Sequence, residues 1–219
     1  MGEGSITPLS WKQKQNDYSI RMRNLAIGPV RVGRAVPFED AKALLLTAPI
    51  LDAAKTLSDK GISDVFWSGG DGGPTVIARV SIFLLAEWAD EATREFADFG
   101  SVIEQAQTER WAYDACEYLA RLDLKRGEPL NLSLLKWRIV KPKAPSARVS
   151  KKPHLFWRDA LLATLIKDAW AMGYPVEKRT GAVPMSALEI VSAVVAEKLG
   201  QHISVTLLKE IWRKNKGLT

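Results

Sequence analysis

From Pro37 onward, large apolar side chains recur three and four positions apart, in runs that open on proline or serine and stop at glycine. That period is the helical one, so the chain reads as all-α. Pro37 opens a helix with Glu39 and Asp40 in its first turn, where carboxylates suit the positive end of the helix dipole. Pro49 opens the next, with Ile50, Ala53, Ala54 and Leu57 on one face before Gly61 stops it. A long segment runs from Pro74 to Phe99, and its first half, "TVIARVSIFLLAEWA", is apolar nearly all round, as a central buried helix requires. Ser101 and Glu104 have capping-box spacing, and the helix they begin carries Trp111, Ala115, Tyr118 and Leu122 before Gly127. Residues 1–36 show no apolar period, apart from a short alternation at 29–36 that suits a strand, and are expected to form an irregular basic leader.

"KPKAPSARVSKKP" (141–153) breaks this pattern with three prolines, five cations and no carboxylate, the composition of a stiff, solvated linker. The expected domains are therefore 1–140, helical with the basic leader, and 154–219, with 141–153 between them. In the second domain three helices are expected. Trp157, Leu161, Leu165 and Ala169, flanked by Leu162 and Ile166, mark the first. Ser186 and Glu189 form the capping box of the second, whose stripe is Leu188, Val191, Val195 and Leu199 before Gly200. Ser204 caps the third, with Ile203 and Leu208 placed to close as a hydrophobic staple.

Charge is distributed unevenly. Residues 1–140 hold 17 basic and 19 acidic side chains, 141–153 hold five and none, and 154–219 hold nine and six. The net +6 thus arises in the last third of the chain, which points to a polyanionic partner, nucleic acid first. No uncharged apolar run approaches the roughly 18 residues of a membrane span, and the N-terminus has no secretory pattern. A single cysteine, Cys116, excludes an internal disulfide and a multi-thiolate metal site. A soluble cytoplasmic setting is expected.

On the last helix, 100° steps place Leu207, Leu208, Ile211 and Trp212 on one face and Thr206, Lys209, Glu210 and Arg213 on the other, with Lys214 and Lys216 following. Ala196 and Gly200 supply a small contact residue and a turn. In these positions residues 188–213 resemble the helix-turn-helix motif of bacterial DNA-binding regulators, with "GQHIS" making the turn about one residue longer than is common. The resemblance implies that Thr206, Lys209 and Arg213 face the groove of double-stranded DNA. Lys214, Lys216, Lys178, Arg179, Lys151 and Lys152 are candidate phosphate contacts, each able to neutralise one backbone charge. An ordinary helical hairpin has the same apolar stripes, so an adaptor or inhibitor that binds protein through its N-terminal domain is the alternative.

No enzyme signature emerges, and no cofactor or metal is expected. "SGGDGGP" (68–74) precedes a helix but lacks the Gly-Lys-Ser/Thr of a phosphate loop, and Pro74 removes an amide. Asp90, Glu91, Glu95 and Asp98, with Arg94 among them, read as a solvated helix face. His154 and His202 border helix starts, and Cys116 lies beside an apolar stripe, where a small core residue is expected.

Overall fold

The computed structural model describes residues 10–27, 35–62, 79–146, 156–177 and 185–215. Among them are ten α-helices and no strand: α1 (Trp11–Ile27), α2 (Phe38–Leu46), α3 (Pro49–Asp59), α4 (Ile82–Ala89), α5 (Gly100–Gln105), α6 (Arg110–Arg126), α7 (Leu132–Val140), α8 (Phe156–Ala171), α9 (Ala187–Leu199) and α10 (Val205–Asn215). No helix among the described residues is long and apolar enough to cross a membrane.

The chain forms two compact units, residues 1–52 with 161–219 and residues 53–160. The division expected at 141–153 does not coincide with either boundary. Residues 141–146 have no regular structure and belong with 53–160, where Lys141 pairs with Glu117 at 3.1 Å. The three C-terminal helices fold together with the N-terminal segment rather than apart from it. α2 packs on α9, the Val36 amide donates to the Met172 carbonyl, and the Tyr174 hydroxyl donates to the Val36 carbonyl. Lys42 with Glu197 and Lys198 with Asp52 add ion pairs at 2.6 and 2.7 Å. Contacts of this range leave no local trace in a sequence.

The first unit corrects the reading of residues 1–36, because residues 11–27 are the helix α1. Its signal is an S-x-x-Q capping box. The Ser10 amide donates to Gln13 Oε1 at 2.9 Å, and the Gln13 amide donates to Ser10 Oγ at 3.3 Å. Its anchor is tertiary, as the Tyr18 hydroxyl donates to Asp168 Oδ2 on α8 at 2.8 Å. Most of the strand alternation at 29–36 lies outside the described residues, and Ala35 and Val36 are not strand. Leu161, Leu162, Leu165, Ile166 and Ala169 are all buried, as their spacing predicts.

The second unit is built around Trp88, Phe99, Leu119 and Leu134, all fully buried. Its helices are shorter than expected. In the described part of the segment through Phe99, residues 79–99, α4 ends after eight residues at Asp90, whose side chain accepts the Ala92 amide and whose carbonyl accepts the Arg94 amide. Such local bonds compete with the helix and end it. The acidic residues 90–98 consequently lie not on one helix but around a turn containing a short 3-10 helix, Arg94–Phe96. Arg94 is buried rather than solvated, donating through Nε to the Trp88 carbonyl at 3.2 Å and through Nη1 to the Gly127 carbonyl at 3.2 Å.

Likewise Ser101 and Glu104 do not begin one long helix. α5 starts at Gly100, whose amide is accepted by Asp98 Oδ1, and the chain turns at 106–109 before α6. The buried side of α6 is Ala112, Ala115, Cys116, Leu119 and Asp123, one position round from the expected stripe. Asp123 sits in this apolar face because it is fully engaged. It accepts from Trp88 Nε1 at 2.7 Å and from the Asn131 amide at 2.8 Å. Asn131 in turn caps α7, accepting the Leu134 amide, while its side-chain amide donates to the carbonyls of Arg94 and Ala97. This buried polar network ties the 94–97 turn to the start of α7.

Candidate nucleic-acid interface

The site is built on α9, the turn 200–204 and α10, all within the first unit. Ser186 and Glu189 form the expected reciprocal capping box at the start of α9. Leu188, Val191, Val194 and Val195 bury its inner face. Gly200 ends the helix at φ +66°, and an added Cβ would meet nothing within 4 Å, so glycine is required there by backbone conformation and not by space. The turn is pinned inward at Ile203, whose side chain is buried and whose carbonyl accepts the Ser192 hydroxyl at 2.7 Å. Ser204 then caps α10 by accepting the Leu207 amide at 3.2 Å.

α10 divides nearly as its sequence predicts. Leu208 and Ile211 are fully buried, while Leu207 and Trp212 are only half-buried, so the inner face is narrower than the four residues expected. Thr206, Glu210, Arg213 and Lys214 are exposed, with Arg213 at 64% of its side-chain area. Lys209 is half-buried. Two of the three residues implied to face the groove therefore present themselves fully to solvent, and the third does so in part. Lys216, Lys178, Arg179, Lys151 and Lys152 lie outside the described residues, as do His154 and the 68–74 loop.

One participant had no signal in the sequence. Glu177 accepts a hydrogen bond from Lys209 Nζ and lies 3.8 Å from Arg213 Nη2, so a single carboxylate bridges the two cations. The Lys209 hydrogen bond, helped by the charges of Lys209 and Arg213, holds the Glu177 carboxyl below its usual range. With Glu177 and Lys209 separated by 32 positions, no spacing rule connects them.

The arrangement offers exposed, rotatable cations and a hydroxyl on one side of a supported helix, the equipment for contacting phosphates and base edges. It offers no activated nucleophile. Cys116 lies in the other unit, fully buried, and burial pushes its thiol up to about 12. His202 is exposed at the 200–204 turn. Among the described residues no group of three metal-ligating side chains comes together. In comparisons with known proteins, no family model matches the chain, and no curated protein or solved structure is similar to it.

Proposed function

We propose that this chain binds double-stranded DNA, with α10 as the element that enters the major groove, in the manner of a transcriptional regulator or a mobile-element accessory factor. The observation that carries the reading is the two-sidedness of α10: Leu208 and Ile211 buried against their support, Thr206, Arg213 and Lys214 turned outward. Lys209 joins them when a phosphate replaces Glu177 as its partner. The exchange costs little, since exposed ion pairs add little to stability. Lys151, Lys152, Lys178 and Arg179 are the further phosphate contacts that this reading expects.

Fluorescence anisotropy of the full chain with a labelled duplex tests it. Affinity should fall steeply with salt, and Arg213→Ala should weaken binding and reduce the salt slope by about one. Point variants suit this chain better than a 141–219 fragment, because 161–219 folds with residues 1–52. Absence of binding at low salt, or binding indifferent to Arg213→Ala together with Lys214→Ala, overturns the reading.

A second reading, a helical interaction protein without nucleic-acid binding, is favoured by one observation. Phe96, Leu132, Ile139 and Val140 in the second unit are large apolar side chains left more than half exposed. Such surface on a folded unit marks contact with another macromolecule.

A further inference from the structure

α7 exposes its apolar residues in an ordered way. At 100° per residue, Leu132, Leu135 and Ile139 fall within about 60° of one another, with Lys136 on one flank of that stripe and Arg138 on the other. Leu132 is 54% exposed and Ile139 is 79% exposed, while the opposite side, Leu134 and Trp137, is buried. The 94–97 turn borders the start of the helix, because Asn131, which caps α7, donates to the carbonyls of Arg94 and Ala97. That turn presents Phe96, 76% exposed, between Glu95 and Asp98. A groove of about 400 Å³ continues the same surface between α5 and α7, with Asp98 and Glu104 facing Lys136, Trp137 and Val140 across it.

The charges that flank the apolar stripe on α7 and the 94–97 turn are sorted by end. Residues 87–98 carry five carboxylates, and their single cation, Arg94, is buried. Residues 129–146 carry four cations and no carboxylate. Acid therefore brackets the apolar stripe at the beginning of α7, through Glu95 and Asp98. Base brackets it at the end, through Arg138, Lys141 and Lys143, all exposed. Lys141 is paired with Glu117, and Arg138 and Lys143 make no ion pair among the described residues.

A surface with an apolar middle, one acidic end and one basic end complements itself when rotated by 180°. We propose that this face is the interface of a twofold homodimer, with α7 packing antiparallel on α7 of a second copy. Phe96, Leu132, Leu135 and Ile139 form the shared apolar centre, and Glu95 and Asp98 of each copy meet Arg138 and Lys143 of the other. Isologous pairing of this kind repeats every contact twice, so a modest patch is used to full effect. An anionic lipid surface or an acidic partner helix would satisfy the basic end but leave Glu95 and Asp98 facing like charge. A second copy satisfies both ends. The inference does not rest on DNA binding, since the face and its test lie in residues 53–160. If both hold, the particle carries two copies of α10, the number that paired half-sites require.

Sedimentation velocity of the full chain as a function of concentration reads the outcome. A monomer–dimer equilibrium with Kd of about 1–100 μM is expected, the range that a small interface supports. Ile139→Asp, at a position too exposed to affect folding, should raise Kd at least tenfold with an unchanged circular-dichroism melt. Glu95→Lys and Arg138→Glu should each weaken self-association. An equimolar mixture of those two variants should restore it, because in the heterodimer both end contacts become attractive. A wild-type chain monomeric throughout this range, a dimer indifferent to Ile139→Asp, or a mixture no tighter than its components overturns the proposal. So does monomeric protein that floats with phosphatidylserine vesicles in an Ile139-dependent way, which assigns the face to a membrane.

Discussion

Glu177 accepts a hydrogen bond from Lys209, joining the loop after α8 to the exposed side of α10. The same carboxylate lies 3.8 Å from Arg213. One carboxylate thus holds two cations together on this side of α10, and on the proposed reading an incoming phosphate takes its place.

Replacing it with glutamine should tighten DNA binding severalfold at low salt, because the charge that competes with phosphate is gone while the size is kept. The effect should shrink as salt rises and screens exposed charges. Lowering the pH should act in the same direction. The carboxyl is held below its ordinary value in the folded chain, so the pairing is complete above that ordinary value and is lost as pH falls through the depressed one. Anisotropy titrations of Glu177→Gln beside the wild type check this, and equal affinities would contradict it.

Tyr18 and Asp168 should govern part of the pH dependence of stability. Burial pushes the Asp168 carboxyl up to about 6, against the lowering pull of the Tyr18 hydrogen bond and of Lys167. A carboxyl raised on folding binds its proton more tightly in the native state, so its contribution is full at low pH. That contribution is lost between the unfolded value near 4 and about 6 as pH rises. Urea unfolding should show this decline, and Asp168→Asn should flatten it. Tyr18→Phe should cost about 1–3 kcal/mol at neutral pH, because a partly buried carboxylate loses a donor. It should also push the decline to higher pH.

Asn131 joins two parts of the second unit. It is fully buried, caps α7 and donates twice to the 94–97 turn. Asn131→Ala should destabilise by about 3 kcal/mol, from a lost cap and two orphaned carbonyls. Asn131→Asp keeps the cap but loses both donors and sets a carboxylate beside Asp123, so it should be no better tolerated. A variant with a wild-type melting temperature would show that the network is dispensable.

At Gly200 the requirement is conformational. Gly200→Ala should cost about 1–2 kcal/mol, the strain of a left-handed L-residue, with no steric term because the space is open. Ser186→Ala, which removes the cap at the other end of α9, should cost about 1 kcal/mol. Measured together, the two should add, since the sites stand at opposite ends of the helix.

Local order in this chain is written in the sequence. The Ser186–Glu189 box, the Ser204 cap, the Gly200 stop and the buried stripe of α8 all follow from residues within one or two turns of each other. The two-sidedness of α10 is legible for the same reason. Even α1 carries its own start signal at Ser10 and Gln13, although its polar composition hides it.

What the tertiary structure alone decided spans longer separations. Tyr18 reaches Asp168 across 150 residues, Tyr174 reaches Val36 across 138, and Glu177 reaches Lys209 across 32. The first two contacts join 1–52 with 161–219, and the third gives the cations of α10 an internal partner. The network of Trp88, Arg94, Asp123 and Asn131 likewise converts residues that look solvated into core. Helical periodicity and caps act over three or four positions, whereas the satisfaction of a buried polar group is settled only when distant segments meet.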